Sequence, residues 1–339
     1  MRKPTLHPQR WTPPPPSTSV PTRGGSVKVI PVSGYGPEDV VVLADGRVLT
    51  GLLDGRILAI SPDGKTHTEI ADTGGRPLGL EMHPDGWVVV CDASRGVLRL
   101  DLDTGTLTEL VTSALGEPMA FCNNAAVAGD GTIYFTDSSR TFGFEYWRGD
   151  LLEHGATGRL FRRAPEGDVS LLADGLAFAN GVALAADESF VVVAETAGYS
   201  LRRHWLVGPR AGTTEAFGDV LPGFPDNIST GDDGLIWVAI ASPRNRLLDL
   251  VLPHAPFVRS LVWALPERLQ PQPQRLIRVQ AYDDQGVLVH DLEKTHAEFG
   301  KPTGVRQVGD RVWLGSLEET AIAVMELPAT TRPPGRHGR

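Results

Sequence analysis

One turn signal recurs along the chain and limits what it can become. Asp-Gly, or a close relative, follows one apolar run and precedes another at Asp45-Gly46, Asp85-Gly86, Asp130-Gly131, Asp187-Glu188, Asp233-Gly234 and Asp310-Arg311. Asp-Gly between two strand-like runs marks a hairpin, because glycine reaches the positive φ that tight turns need. The copies are spaced 40, 45, 57, 46 and 77 residues apart. Hairpins at this interval predict an all-β chain, a six-bladed β-propeller with four-stranded antiparallel blades. At 339 residues the chain is long for one simple core, and a propeller avoids that limit because each blade packs only on its neighbours.

The first repeat shows the unit. Residues 39–44, 47–52, 56–60 and 66–71 read as four short strands joined by three turns, and the second repeat follows with 78–82, 87–91, 96–101 and 107–111. The last repeat lacks an obvious fourth strand. Ser26 to Val32 (SVKVIPV) is placed to supply it and close the ring between the two chain ends, which removes exposed sheet edges. Two insertions interrupt the pattern. Thr141 to Gly158 carries Phe142, Phe144, Tyr146 and Trp147. Ser242 to Gln274 carries helical apolar spacing at Leu247 to Leu252 and Phe257 to Leu265, broken by Pro253 and Pro266. They read either as surface decoration or as a lid over one propeller mouth. The expected organisation is a disordered Pro-rich segment over 1–25, the propeller over 26–328 and a disordered tail over 329–339.

A net charge of −9 without a basic tract argues against nucleic acid as a partner. Two cysteines, Cys91 and Cys122, make no disulfide framework and read as free core thiols. Met1 to Pro21 has no apolar leader and no run reaches membrane-spanning length, so the expectation is a cytoplasmic protein acting on a small molecule, with no membrane partner. The oligomeric state stays open. There is no G-x-S-x-G elbow around Ser138-Ser139, and the glycines sit in turns rather than in a phosphate or dinucleotide loop.

The repeated turn also serves as a ruler. Eight residues before its second member stand Glu38, Leu78, Asn123, Asn180, Asp226 and Thr303, each at the start of its blade's first strand. That strand lines the channel of a propeller, so the six positions form a ring at one mouth. Four carry carboxylate or amide oxygens beside apolar runs, where an unpaired polar group costs about 1–3 kcal/mol. Singly, each has a plainer reading: Asn180-Gly181 as a turn, Asp226-Asn227 as an Asx-turn, Glu38 as a solvated loop residue. Together, at one offset, they read as a shared cation site. Oxygen donors without Cys or His indicate a hard ion, Ca²⁺ before Mg²⁺, and Asn227 is placed to add another oxygen.

Longer motifs then carry a resemblance. Phe178-Ala179-Asn180-Gly181-Val182 with Val191 to Thr196, Phe224-Pro225-Asp226-Asn227-Ile228, Cys122-Asn123-Asn124 with Ile133 to Ser139, Gly158-Arg159-Leu160 and Arg202-Arg203-His204-Trp205 resemble the strictosidine-synthase-like group. That group belongs to a superfamily of six-bladed propellers with the gluconolactonase and senescence-marker proteins, the paraoxonases and diisopropylfluorophosphatase. The resemblance runs from about Gly34 to Leu327. It implies that Glu38, Asn123, Asn180 and Asp226 hold a catalytic Ca²⁺, with Asn227 added as in paraoxonases. Strictosidine synthase itself uses a catalytic Glu in its last blade without metal. That position is Thr303 here, with Glu298 and Glu293 nearby. The second-blade His pair of paraoxonases falls near Leu78 and Asp92. Asn124 stands where an Asp usually follows the first Asn ligand.

The expected chemistry is hydrolysis of a lactone or other ester, with the ion polarising the carbonyl. Asp226 or Glu38 is the expected general base, with His290 and His296 as alternatives. Asn124, Tyr146, Trp147, Phe224 and His296 are the expected substrate contacts. A metal-free synthase-type enzyme and a non-enzymatic binding propeller are the rival readings.

Overall fold

The computed structural model describes residues 3–254, 256–266, 270 and 274–328. Six sheets of four-stranded meanders form six blades. The first, Val41–Val42, Val48–Gly51, Arg56–Ile60 and His67–Asp72, follows the expected turns. Glycine takes positive φ at Gly46, Gly86, Gly131 and Gly234, and Glu188 does so in the fourth blade. In the sixth blade the turn falls one residue early: Val308 pairs with Arg311 across Gly309-Asp310, and Gly309 has φ 61°.

Val27–Pro31 pairs antiparallel with Ala321–Glu326, so the N-terminal strand closes the last blade as its fourth member. The core is divided into slabs at the blade junctions. Leu49, Ile57, Leu80, Val90 and Leu98 fill the junction of the first and second blades, and Ile30, Val48, Leu58 and Ile322 that of the sixth and first. Cys91 and Cys122 are free and buried in the next slab.

Both insertions fold back over one mouth of the channel. The third blade contributes helix α1 (Trp147–Glu153), and the fifth contributes α2 (Arg246–His254) and α3 (Pro256–Ala264). Pro253 lies within the last turn of α2 rather than ending it, and Pro256 opens α3, a position where the missing N–H costs nothing. Trp263 of α3 meets Phe142 and Tyr146 edge-on, joining the two insertions.

The N-terminal segment corrects the expectation of disorder. Leu6 is buried against Phe142 and Trp263, Gln9 N–H donates to Glu153 O at 2.7 Å, and Trp11 stacks on His154 at 4.1 Å. A Pro-rich strand makes no ladder of its own, but its carbonyls accept from outside: Arg259 donates to Gln9 O and Arg244 to Pro14 O. Thr22–Arg23 then adds a parallel fifth strand to the fifth blade. The tail 329–339 lies outside the described residues.

Candidate functional site at the channel mouth

A two-for-one irregularity in the first hairpin of five blades builds the site. In blades two to six the ladder shifts between Pro77 and Leu80, Cys122 and Ala125, Ala179 and Val182, Pro225 and Ile228, and Pro302 and Val305. Two residues there oppose one on the partner strand, which is a β-bulge, a device that re-aims side chains next to functional sites. The first bulged residue is the ring position in every case. Glu38, Leu78, Asn123, Asn180, Asp226 and Thr303 all line one cavity of about 480 Å³.

The second bulged residue alternates around the ring. It is Asn124 and Asn227 in the third and fifth blades, and Gly79, Gly181 and Gly304 in the second, fourth and sixth. Asp39 holds the same place in the first. Each glycine abuts the polar residue of a neighbouring blade: a Cβ on Gly79 would lie 2.6 Å from Asn124 Cα, on Gly181 2.6 Å from Asn227 Cα, and on Gly304 2.7 Å from Asp39 Cα. These glycines therefore let the first strands close around a narrow channel.

The ring oxygens are held apart from other partners. Asn123 Nδ2 donates to Ser138 Oγ at 2.9 Å, Asn180 Nδ2 to Thr196 Oγ1 at 3.0 Å, and Asn227 Nδ2 to Glu38 Oε1 at 3.1 Å. Each amide is thus fixed by its nitrogen. Asn123 Oδ1, Asn180 Oδ1, Asn227 Oδ1 and Glu38 Oε2 are buried with no hydrogen-bond partner. Four such atoms in one place are costly unless something accepts their lone pairs.

Electrostatics points the same way. Burial, then the charges of Asp226 and Asp39, pushes the Glu38 carboxyl well above the ordinary carboxylate range. Burial, reinforced by Asp39, pushes Asp226 up to about 7. Crowded carboxylates raised in this way become easy to ionise when a cation is among them. Among the described residues no three His, Cys, Asp or Glu side chains gather as a ligand set. The donor set is two carboxylates and three amides, and its uniformly oxygen chemistry fits Ca²⁺.

The structure gathers some expected substrate contacts and disperses others. Trp147 and Phe224 line the cavity. Asn124 does not: its Oδ1 accepts from Val182 N at 3.1 Å, and it is 3% exposed, so it joins blades beneath the mouth. Tyr146 packs on Trp263 in the cap rather than lining the cavity. His296 lies after the outer strand of the fifth blade, its Nδ1 accepting from Glu298 N, and His290 stacks on Trp237. Neither reaches the cavity. Thr303 Oγ1 is engaged with Glu38 O at 2.7 Å, and Glu293 and Glu298 do not line the site.

Several lining residues escaped the reading of the sequence: Phe121, Phe178, Lys301, Glu318 and Arg148. Lys301 pairs with Glu318, which also lies 3.8 Å from Arg148. A signal for three of them was present, since Phe121, Phe178 and Lys301 stand two residues before ring positions.

Comparisons with known proteins follow this geometry. The strictosidine synthase family model matches residues 123–209, and the model of the strictosidine synthase-like N-terminal region matches residues 25–60. Strictosidine synthase-like 10 of Arabidopsis thaliana is 36% identical over 340 residues, covering 89% of this chain and 88% of the relative. Strictosidine synthase-like 13 of the same plant is 34% identical over 76% of this chain, which spans 62% of that relative. Among solved structures, a gluconolactonase from Xanthomonas campestris superposes with a TM-score of 0.65 at 19% identity, over 92% of this chain and 97% of the other. A calcium-binding regucalcin from Agrobacterium tumefaciens gives 0.63 at 17%, over 94% and 100%. At such identities these two share the fold. The bulged first strands, the ring they carry and the near full-length match to the plant relatives make this chain a member of the strictosidine synthase-like family.

Proposed function

We propose that this chain is a hydrolase of a lactone or other ester that works with Ca²⁺ held by Glu38, Asn123, Asn180, Asp226 and Asn227. The observation that carries the reading is the set of buried, partnerless oxygens of Glu38, Asn123 and Asn180 on an apolar-walled cavity, with Asn227, whose own Oδ1 is also partnerless, bonded to Glu38 behind them. A gluconolactonase and a calcium-binding protein among the fold's relatives support it. The bound ion supplies Lewis-acid polarisation of the ester carbonyl and stabilises negative charge on its oxygen.

The chain's residues do the rest. Phe224 and Trp147 seat the apolar part of the substrate and exclude water from one side. Asp226 is the half-buried carboxylate of the ring, whereas Glu38 is 3% exposed and tied to Asn227. Asp226 is therefore the residue placed to accept a proton from the attacking water. The amide nitrogens of Asn123 and Asn180 keep their oxygens aimed inward through Ser138 and Thr196.

The synthase-type reading has the family name in its favour, but the last-blade ring position is Thr303, whose hydroxyl is already engaged. The test is a panel of lactones and aryl esters, run with Ca²⁺ and with chelator, on wild type and Asp226→Asn. Turnover that chelator abolishes, and that Asp226→Asn lowers by about 10²–10³-fold with an unchanged melting temperature, is the expected result. A melting temperature indifferent to Ca²⁺ removes the ion from the proposal. A silent panel removes the hydrolase, and a variant that loses only stability makes the ion a structural rivet.

A further inference from the structure

The cap has a second face. Helices α2 and α3 present Leu248, Val251, Val258 and Val262 to the cavity. A helix that covers a cavity ordinarily turns polar residues to water on its other side. These two do not. Leu250 is 65% exposed, Phe257 70% and Leu261 62%, with Leu265 just beyond α3 at 40%. Steps of three and four residues, from Leu247 to Leu250 and from Phe257 through Leu261 to Leu265, set them in one stripe along each helix. Large apolar side chains gathered on a surface mark a contact with something apolar.

Charge identifies the partner. The net charge of the chain is −9, yet from Met1 to Pro37 it has no Asp or Glu. Lys3 and Arg10 of the N-terminal segment and Arg246 of α2 are exposed. Lys3 Nζ lies 4.0 Å over the Trp263 ring and donates to Leu265 O, at one end of the stripe. Arg246 stands one turn before Leu250. The one carboxylate in the sequence of α2 and α3, Asp249, is tied to Arg244 and to the Tyr199 hydroxyl. Among the described residues of the cap, Glu145, before α1, is the exposed carboxylate. An apolar stripe edged by cations on an acidic protein fits an anionic lipid surface, with hydrocarbon for the leucines and phosphate for Lys and Arg. The cavity agrees. Leu247 and Arg246 both line it and are exposed, so it opens beside the stripe. A second copy of the chain would bring the same cations to both sides of the contact and close that opening.

We propose that the outer face of α2 and α3 docks on an anionic lipid surface. Leu250, Phe257, Leu261 and Leu265 enter the boundary between headgroups and acyl chains, and Lys3, Arg10 and Arg246 meet lipid phosphates. The opening at Leu247 then faces the lipid, and an apolar ligand passes from bilayer to cavity without crossing water. No described helix is long and apolar enough to cross a membrane. This contact lies in the interface, so the expectation of no membrane partner, drawn from spanning runs, does not reach it. The docking rests on this face and not on the hydrolase reading.

Co-sedimentation of the full chain with vesicles tests it, using phosphatidylcholine alone and phosphatidylcholine with about one third phosphatidylglycerol. The mixed vesicles are expected to bind about 10-fold more tightly or better, and the advantage to shrink as salt rises. Phe257→Ser with Leu261→Ser is expected to weaken binding to mixed vesicles by about 10-fold or more, with an unchanged melting temperature because both side chains are exposed. Arg246→Gln is expected to lower the anionic preference about 5-fold. An environment-sensitive dye on Phe257→Cys reads the face directly, since Cys91 and Cys122 are buried, and its emission moves to the blue on mixed vesicles. Equal binding to the two vesicles, or none, overturns the proposal. So does binding that survives the double variant, which places the contact elsewhere. A dimer in sedimentation equilibrium that the double variant dissociates also overturns it, and makes the partner a second copy. Should the double variant fail to fold, the dye and the salt series still decide. Turnover of soluble esters without docking sinks the docking alone, and docking with a silent ester panel sinks the hydrolase alone.

Discussion

Gly181 in the ring and Gly149 in the helical cap both stand where an added methyl group would collide, but with different kinds of neighbour. At Gly181 the obstacles are Asn227 Cα and the Ile228 backbone nitrogen. At Gly149 they are the Phe142 ring, 2.5 Å away, and Trp263 Cη2, 3.0 Å away. Backbone held by blade ladders cannot step aside, whereas aromatic side chains turn. The floor of the site is therefore built to hold positions, and its roof is built from packing that rearranges. A site with a fixed polar floor and an adjustable apolar roof suits one chemistry applied to varied substrate shapes.

That contrast exposes itself to measurement. Its largest test is Trp263→Ala. The indole touches Phe142, Tyr146 and Leu6, and its N–H donates to Pro4 O. Its loss is expected to cost about 3–5 kcal/mol, confined to α1, α3 and the N-terminal segment. Hydrogen exchange should show faster opening there while blade strands keep their protection. Equal loss in the blades would make floor and roof one unit.

The paired glycine substitutions come next. Gly181→Ala is expected to destabilise by about 2–3 kcal/mol through overpacking against backbone. Gly149→Ala is expected to stay within about 1 kcal/mol of wild type, because better helix propensity offsets the displaced rings. Urea unfolding of both variants decides, and similar costs would abolish the distinction.

The smallest expected effect is pH dependence in the roof. His154 closes α1 in the left-handed conformation (φ 56°), buried under Trp11. Burial, then the charge of Arg259, lowers it to about 4. The unfolded chain takes up this proton near pH 6.5 and the folded chain does not, so stability is full above pH 6.5 and falls as pH drops toward 4. At pH 5 the loss amounts to about 2 kcal/mol. Asp150, pushed up to about 7 mainly by burial, has the opposite sign over that range and offsets it by a similar amount, so the effect is read as the difference between wild type and a His154 variant. His154→Asn, which tolerates the left-handed conformation, should lose less stability between pH 7.5 and pH 5 than wild type. An unaltered pH profile would mean that His154 titrates normally.

Legibility in the sequence followed the same division. The turn ruler found Glu38, Asn123, Asn180 and Asp226 because every blade places its mouth residue at one offset. It put Asn123 in the ring but said nothing of Asn124, the next amide, which residue type alone made a substrate contact. A bulge turns the first into the cavity and the second across to Asp39 and Val182, and no local pattern announces a bulge. Tyr146 and His296 were candidates by residue type alone, and their placement depends on how an insertion folds and where an outer strand ends. The N-terminal segment looked loose because its composition forms no ladder, yet Arg244 and Arg259, more than 200 residues away, supply donors to its carbonyls.

The chain by itself determined the number of blades, the closing strand and the chemistry available at the mouth, because these follow from local turn geometry repeated at a regular interval. Tertiary structure alone decided which oxygens are left without partners, and that two insertions and an N-terminal strand meet as one roof. Those outcomes depend on contacts between residues far apart in the chain, whose partners are settled only when the ring closes.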